Sequence, residues 1–414
     1  MRILLLTLNY APEKIGIAVY SASLCEALKA RGHVVEVVSG KPYYPEWHIH
    51  DGYGGGWKRS VEDGVNVTRC PIYVPKIPSG SKRLLHHASF ALSSILPMIR
   101  RARAFRPDLV VAIAPSLMAA PGAWAAATLT SAKTWLHVQD FEVDAAFATG
   151  LIDSQSRTAT LARVVQRWIF GLFDRVSSIG PEMCAKAVMM GVPADRVVEF
   201  RNWADLERVA PMVTRSGYAE MWGITTPHVA LYSGNIANKQ GVDVIVDAAR
   251  ALEHRKDLTF VICGEGPTRK LLEQKAAGLG NIQIHDLQPI DRLNELLGLA
   301  TIHLLPQTAG AADLVLPSKL TNMLASGRPV IVTAVSDTGL AREIEGCGIA
   351  TPPEDPKALA VAIEQLIDTP VMYNSMARAA RQRAEQTWDR DVIVGRFIDD
   401  ASALVADYGR QASA

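Results

Sequence analysis

The chain has 414 residues, enough for two or three domains at roughly 100–200 residues per domain. Hydrophobic residues make up 49% and charged residues 21%, which excludes wholesale disorder because there is ample apolar material for a core. The net charge of +1 argues against a dedicated nucleic-acid binder, whose domain would be strongly basic. The five cysteines are widely scattered, a spacing that predicts neither a metal site nor a disulfide framework and is typical of a reducing compartment.

The N-terminus begins with Arg2 and a short apolar run, Ile3–Leu8, as secretory signal peptides do. Because the run is at the short limit for such a peptide and no small-residue cleavage site follows, we interpret it as a buried first strand.

Short apolar runs alternate with helix-period segments such as 18–31 and 242–254. The predicted strands of the first half are Ile3–Leu8, Val34–Ser39, Val65–Cys70, Leu109–Ala114, Thr134–Val138, Arg175–Ile179 and Val197–Phe200. Those of the second half are Val229–Ser233, Leu258–Cys263, Ile282–His285, Ile302–Leu305 and Val330–Thr333. Alternating strands and helices predict an α/β protein with two doubly wound parallel sheets, joined by the irregular stretch Asn202–Pro227.

Residues 109–132 carry no charge and are long enough to span a bilayer. Pro115 and Pro121 interrupt the stretch, however, and Ser, Thr and Gly recur in it. We therefore favour a strand up to Ala114, a turn, and an Ala-rich buried helix.

The near-zero total charge hides an imbalance between the two halves. Residues 1–200 carry a net charge of +6 and residues 201–414 a net charge of −5. Residues 64–107 contain no acid, and their basic side chains alternate with apolar ones, a pattern typical of contact with anionic lipid headgroups. A solvated helix with an ordinary core face is the alternative. The candidate membrane or acceptor face comprises Lys82, Arg83, Arg100, Arg101 and Arg103.

Two features of the first half indicate a ligand site. Gly16 lies at a predicted strand-to-helix turn, where a glycine lets backbone N–H groups approach a ligand, although a simple loop explains it nearly as well. His137 lies at the carboxyl end of a predicted strand, the edge at which open α/β sheets bind ligands. A single histidine is more often structural, but the neighbouring Asp140 and Glu142 favour a site, and both interpretations stay open.

The second half repeats the pattern of strand, glycine turn and helix at Ser233-Gly234-Asn235. Lys239 follows in the loop, where a lysine beside a helix N-terminus can hold a diphosphate. Gly264 ends the next predicted strand and is by itself a weak signal.

A second anion site is predicted near residue 318. Pro317 and Ser318 suit the first turn of a helix and Gly327 suits its end. Ser318 and Lys319 would then lie at a positive helix terminus.

In their order and spacing these motifs resemble those of the retaining glycosyltransferases of family 4, over nearly the whole chain. That family has the GT-B fold, two Rossmann-like domains facing across a cleft. The resemblance rests on the Gly16 loop, Arg31–Val37, His137, Ser233–Gly241, Gly264–Pro267 and Pro317–Val330. Within the family the chain looks most like the branch of bacterial exopolysaccharide clusters, close to the colanic-acid fucosyltransferase type.

The resemblance implies that residues 1–205 bind the acceptor, that residues 206–385 bind a nucleotide-sugar, and that residues 386–414 form a helix returning to the first domain. It implies transfer of a sugar to a lipid-linked oligosaccharide, with GDP-fucose the favoured donor and UDP-sugars an open alternative. The expected location is the cytoplasm, peripheral on the anionic inner membrane, with no nucleic-acid partner.

By the same resemblance, His137 contacts the transferred sugar, and Lys239 and Lys319 stabilise the leaving diphosphate, which itself deprotonates the acceptor hydroxyl with retention of configuration. The implied donor-binding set is Gly16, Ser233, Gly234, Asn235, Gly264, Leu287, Asp313, Pro317 and Ser318.

Two positions depart from the family pattern. Asn235 stands where many members have an arginine, and Leu314 and Asn322 stand where many have a pair of glutamates. Because neither of these positions is acidic, no catalytic glutamate is assigned, and Asp313 is the candidate to compensate at the first.

The resemblance implies no metal and no cofactor besides the nucleotide-sugar, which is the co-substrate, because lysines and helix N-termini neutralise the diphosphate. An Asp-x-Asp does occur at Asp389–Asp391, but it precedes a helical pattern, and helix capping explains it better than metal binding. Two alternatives remain: a sugar-nucleotide 2-epimerase, which would need no acceptor, and a non-enzymatic sugar-binding protein.

Overall fold

A computed structural model of the chain describes residues 1–14, 16–143, 156–309 and 317–411. It contains two compact units. The first comprises Met1–Arg201 together with the chain from Ile393 onward, and the second comprises Asn202–Val392. The predicted domain boundaries, after residues 205 and 385, lie four and seven residues from these divisions.

The first unit is built on an eight-stranded sheet. Its strands are β1 Arg2–Thr7, β2 Val34–Gly40, β3 Lys58–Glu62, β4 Val65–Cys70, β5 Leu109–Ala114, β6 Lys133–Val138, β7 Arg175–Ser178 and β8 Val197–Glu199. They lie in the order β3-β4-β2-β1-β5-β6-β7-β8, and neighbouring strands are parallel except for the antiparallel pair β3 and β4.

Helices cover both faces of the first sheet, because each parallel connection needs a crossover. In chain order they are α1 Ile17–Ala30, α2 Gly80–Phe105, α3 Ala120–Thr128, α4 Arg157–Gly171 and α5 Pro181–Met189. Phe90 of α2, Ala123 of α3 and Phe170 of α4 share one buried cluster with Leu4 and Val110 of the sheet. These three helices therefore pack on the same face.

The second unit is built on a six-stranded sheet. Its strands are β9 His228–Ser233, β10 Leu258–Cys263, β11 Ile282–His285, β12 Ile302–Leu305, β13 Val330–Thr333 and β14 Gly348–Thr351. They lie in the order β11-β10-β9-β12-β13-β14 and are all parallel.

The remaining helices follow in chain order. They are α6 Gly217–Met221, α7 Asp243–Ala251, α8 Arg269–Ala276, α9 Leu293–Leu299, α10 Lys319–Ala325, α11 Gly339–Glu343, α12 Pro356–Asp368, α13 Pro370–Thr387 and α14 Arg390–Gln411. From Ile393 onward α14 belongs to the first unit, where Phe397 lies 4.8 Å from the ring centroids of both Trp135 and Phe200.

Each sheet has one point at which the direction of winding reverses. In the first sheet this is between β1 and β5, and in the second between β9 and β12. Ligands of open α/β sheets bind in the crevice outside the carboxyl ends of the strands at such a point. The order of the strands therefore directs attention to the loops after β1 and β5 and after β9 and β12.

The twelve predicted strands are all present, with ends that differ by one residue at most. The uncharged segment is confirmed as a strand, β5, followed by the buried helix α3. Nowhere in the described parts of the chain is a helix both long and apolar enough to cross a membrane.

Candidate functional site

The predicted glycine turn and Lys319 meet at the crevice of the second unit. Gly234 directly follows β9 with φ 145°, and a side chain there would overlap the Lys319 side chain. Lys319 Nζ donates to the Tyr232 hydroxyl at 3.0 Å and lies 4.5 Å from the centre of the same ring. The ammonium group is therefore held over the backbone of the turn, where it can meet an anion.

The loops after β9 and β10 touch through their backbones. A side chain at Gly264 would overlap the carbonyl oxygen of Gly234, and one at Gly266 would overlap that of Ile236. Glycine is the residue that tolerates such an approach. The structure thus brings together Ser233, Gly234, Asn235, Gly264 and Lys319 from the predicted set.

The turn that carries Lys239 lies beside the segment after β12. Residues Asn238–Gln240 form a single 3-10 turn that ends at Gly241, whose φ is 56°. A Cβ at Gly241 would lie 3.4 Å from Thr308 Cγ2, so the turn adjoins the crevice. The side-chain oxygens of Gln240 and Gln307 are buried without a hydrogen-bond partner in the described chain, and a ligand with hydroxyl groups could supply one.

The remaining predicted donor residues are placed differently. Pro317 and Ser318 directly precede α10, and Ser318 is exposed. Leu287 is 61% exposed on the loop after β11, at the same edge of the sheet. Asp313 lies outside the described residues. Gly16 belongs to the first unit, where it precedes α1 with φ 64°, and its role in donor binding stays a prediction.

The sequence reasoning missed Arg269, which ties two strand-end loops of the second unit together. Its guanidinium donates to the carbonyl of Gly264 at 3.2 Å and pairs with Asp286 at 2.6 Å and Glu273 at 2.9 Å. These carboxylates raise the pKa of Arg269. The sequence does show the two residues of this link, an arginine at the start of the helix after Gly264 and an acidic residue, Asp286, directly after β11.

His137 lies inside the first unit rather than on an open surface. The residue is 2% exposed, its Nδ1 lies 2.9 Å from Ser177 Oγ, and its ring centre lies 4.8 Å from that of Phe200. Burial lowers the pKa of His137 to about 3, so the ring is neutral at neutral pH. These surroundings give His137 a packing role, which the sequence also allowed, and its contact with a sugar stays a prediction.

The crevice of the first unit contains the carboxyl group of Glu142. Glu142 accepts hydrogen bonds from the backbone N–H of Ser116 and of Leu117, the latter at 3.2 Å, and its carboxyl oxygen lies 4.0 Å from His87 Nδ1. Burial raises the pKa of Glu142 to about 7 and lowers that of His87 to about 4. Ser116 has φ 97°, and its buried hydroxyl has no partner among the described residues. Such groups can accept and donate hydrogen bonds to the hydroxyls of a sugar.

The basic face predicted on α2 is present except at one position. The Arg101 guanidinium does not belong to this face, because it donates two hydrogen bonds of 2.7 and 2.8 Å to the buried carboxylate of Glu36. A buried charge requires a partner, which corrects the assignment of Arg101 to the membrane face. Lys82, Arg83, Arg100 and Arg103 remain exposed.

Both α2 and α4 expose apolar side chains between their basic residues. The exposed apolar residues are Leu84, Leu85, Leu92, Ile95 and Leu96 on α2 and Leu161, Val164, Val165 and Trp168 on α4. Neither helix contains an acidic residue. The stripe on α4 was missed, although its spacing of three and four residues is visible in the sequence.

Asp389 caps a helix, as predicted. Its carboxylate accepts the backbone N–H of Val392 at 2.9 Å, in the first turn of α14. In the ranges that the structure describes, no group of three or more His, Cys, Asp or Glu side chains is arranged to hold a metal ion.

Comparisons with known proteins identify the family. Residues 16–203 match the family model of a glycosyl transferase 4-like domain, and residues 227–369 match that of glycosyl transferases group 1. The chain is 39% identical over 411 residues to WcaI of Escherichia coli strain K12, a protein named as a colanic acid biosynthesis glycosyl transferase. The alignment covers 97% of this chain and 99% of that protein. The chain belongs to the family 4 glycosyltransferases.

Solved structures show that this glycosyltransferase has the GT-B fold. Sucrose-phosphate synthase from Thermosynechococcus elongatus superposes with a TM-score of 0.71 at 16% identity, over 98% of this chain and 99% of that one. HepE of Anabaena, in complex with UDP-glucose, superposes with a TM-score of 0.66 at 15% identity, over 97% and 100%.

Proposed function

We propose that this glycosyltransferase moves a sugar from a nucleotide-sugar, with GDP-fucose favoured, to a lipid-linked oligosaccharide, and does so without a metal ion. The observation that carries the proposal is the position of Lys319 over the Gly234 turn, at the crevice of the second sheet. A lysine ammonium beside tightly turned backbone matches the charge of a diphosphate.

In this mechanism the residues of the second unit stabilise the leaving group. Lys319 neutralises negative charge that grows on the diphosphate as the bond to the sugar breaks. The backbone of the glycine turn adds N–H groups, and Lys239 adds a second positive charge. The departing phosphate oxygen takes the proton of the acceptor hydroxyl, which attacks from the same face, so the configuration at the sugar is retained.

The acceptor is assigned to the first unit. The crevice between β1 and β5 offers the hydroxyl of Ser116 and the carboxyl of Glu142 to a saccharide. The exposed apolar stripes on α2 and α4, flanked by arginines and free of acids, suit an anionic membrane surface that presents a lipid-linked substrate. The name of the WcaI relative supports a place in exopolysaccharide synthesis.

A UDP-sugar is the second candidate donor, since the HepE structure of the same fold contains UDP-glucose. A thermal-shift series with GDP, UDP and ADP separates the candidates, because a tighter ligand raises the unfolding temperature more at equal concentration. We expect the largest shift with GDP, and a larger shift with UDP would overturn the assignment of the base. In Lys319→Ala the shift should shrink for whichever nucleotide binds.

Product analysis tests the reaction itself. With the donor and a lipid-linked saccharide, we expect a glycosylated lipid and free nucleoside diphosphate. Turnover of the donor without any acceptor, with conversion to its epimer, would favour a sugar-nucleotide 2-epimerase. Binding of free sugar but not of nucleotide, measured by calorimetry, would favour a sugar-binding protein.

A further inference from the structure

A cavity at the opposite edge of the second sheet has no role in the proposed reaction. It has a volume of about 470 Å3 and is lined by the segments that precede β9, β12 and β13 and by the start of α13. Pockets of roughly 300–1,000 Å3 are typical of small-molecule sites. Because the donor crevice lies at the carboxyl ends of the same strands, the two sites are on opposite edges of the sheet.

The lining of this cavity is cationic. It includes Arg215, Arg328 and His228, and no aspartate or glutamate occurs among its described residues. Asp368, which directly follows the lining residue Ile367, accepts hydrogen bonds of 2.9 and 3.0 Å from Arg255, which also binds Asp257 at 2.9 Å. Within the lining itself the full charges are therefore those of the two arginines, although this half of the chain is acidic overall.

Two nitrogen atoms of the lining lack partners. Arg328 donates from its two Nη atoms to the Tyr373 hydroxyl at 3.3 Å and to the Met212 carbonyl at 3.2 Å, which fixes the guanidinium in place. Its Nε and the Nδ1 of His228 are buried and have no hydrogen-bond partner within the described chain. His228 Nδ1 donates or accepts according to its tautomer, so a bound anion would be held by the charge of the oriented Arg328 guanidinium rather than by these two atoms.

The N-terminus of α13, the positive end of the helix dipole, borders the same cavity. Pro370, Tyr373 and Asn374 of its first turns belong to the lining. The helix has 18 residues, no side-chain cap and no acid in its first turn. Its first N–H groups have no partner within the helix, and they carry the positive end of the helix dipole.

We infer that this cavity binds a phosphorylated sugar, at a site separate from the donor diphosphate site. Arg328, Arg215 and the start of α13 would hold the phosphate. The hydroxyl of Thr301 and the amide of Asn374, which also line the cavity, would hold the sugar hydroxyls.

Calorimetric titration of the full chain with glucose 6-phosphate tests this inference, with glucose and inorganic phosphate as matched probes. Saturating GDP and UDP are present, so that the donor site is blocked. We expect glucose 6-phosphate to bind under these conditions and equally well to Lys319→Ala, glucose not to bind, and phosphate to bind more weakly. Absence of binding, or displacement by the nucleotides, would overturn the proposed site, and equal affinity for phosphate alone would overturn its sugar part.

Three variants locate the site. Arg328→Gln and Arg215→Gln should each weaken binding tenfold or more. Asn374→Asp places a negative charge in the cavity, where it would repel the phosphate. The position is exposed and near a helix N-terminus, where an acidic residue favours folding, so this variant tests the site even if Arg328→Gln does not fold. The matched control is Arg378→Gln, an exposed arginine on the same helix outside the lining. Unchanged affinity in the first three variants, or an equal loss in the control, would overturn the assignment. Since these titrations need no glycosyl transfer, they fail or succeed independently of the proposed reaction.

Discussion

The crevices of the two sheets contain functional groups that the net charges of the two halves do not predict. The basic first half places the buried Glu13 and the half-buried Glu142 at the carboxyl edge of its sheet. The acidic second half places Lys319 and glycine backbone at the corresponding edge. The exposed surface sets the net charge of a unit, whereas a few groups at the crevice set the ligand that it can bind. A neutral saccharide suits the first crevice and a diphosphate the second.

Removing a buried histidine from the first unit should have the largest effect. We expect His137→Ala to lower the free energy of unfolding by about 2–5 kcal/mol, because the ring fills space against Phe200 and bonds Ser177. Thermal unfolding measures this, with the exposed His48→Ala as the control. A His137→Ala protein of normal stability whose transfer rate is about 100-fold lower would instead support the sugar contact.

Removing the Lys319 ammonium group from the second crevice should lower the rate of sugar transfer. We expect Lys319→Ala to lower the rate of sugar transfer about 100-fold or more, since one preorganised contact to developing charge contributes about that factor. The release of nucleoside diphosphate reports the rate. Lys270→Ala, an exposed lysine of the same unit, should behave as wild type. An active Lys319→Ala enzyme would contradict the site and leave the fold unaffected.

Each unit contains a buried histidine, and acid should lower the free energy of unfolding through both in the same way. His303 Nε2 lies 2.9 Å from Ser326 Oγ, as His137 Nδ1 lies 2.9 Å from Ser177 Oγ, and burial lowers the pKa of each ring to about 3. The unfolded chain takes up the proton near pH 6.5, so each ring contributes stability that is lost as the pH falls from 6.5 towards 3.

Glutamine at either position removes this dependence. The stability deficit of His137→Gln or His303→Gln relative to wild type should therefore shrink by about 2 kcal/mol between pH 7 and pH 5. Urea unfolding at the two pH values measures it. A deficit independent of pH in one variant would show that its ring accepts a proton in the folded unit.

The proposed membrane face belongs to the first unit alone. We expect Trp168→Glu on α4 to lower the partition of the protein onto vesicles with anionic lipid about tenfold, because burying a large apolar side chain contributes about 1.5–3 kcal/mol. Trp168 is 56% exposed, and Val361→Glu, at a 62% exposed position of the second unit, is the control. Vesicle flotation measures the bound fraction. Equal losses in the two variants, or equal binding to neutral vesicles, would contradict a specific anionic face.

Chelation should have the smallest effect. We expect EDTA to leave the transfer rate unchanged, because lysine and backbone N–H groups supply the positive charge that a metal ion would otherwise provide. Loss of activity that added magnesium or manganese restores would overturn the metal-independent mechanism.

Two strands escaped prediction, each for a local reason. β3 reads Lys58–Glu62 and is a polar edge strand with no buried side to produce an apolar run. Its signal was the Asp63-Gly64 dipeptide, which is typical of a two-residue hairpin and has positive φ at both residues. β14, Gly348–Thr351, is a short edge strand with a single buried residue.

The site was predicted unevenly. The residues around Gly234 were identifiable because turn glycines and a following lysine have a fixed spacing in the sequence. Arg269 was not, because the partner that links it to another strand-end loop, Asp286, comes from a separate segment, although Glu265 and Glu273 are its neighbours at i,i+4 spacing. Arg101 looked like a surface charge because its partner, Glu36, lies 65 residues away in the sequence.

Local patterns in the sequence were sufficient to predict the two doubly wound sheets, the family and the positions of the glycine turns. Strand periodicity and turn chemistry are local, so they can be read residue by residue. The tertiary structure alone decided which charges are exposed, that the His137 ring packs inside its unit, and that a cationic cavity exists behind the second sheet. Burial and pairing depend on segments distant in the chain, and no local pattern specifies them.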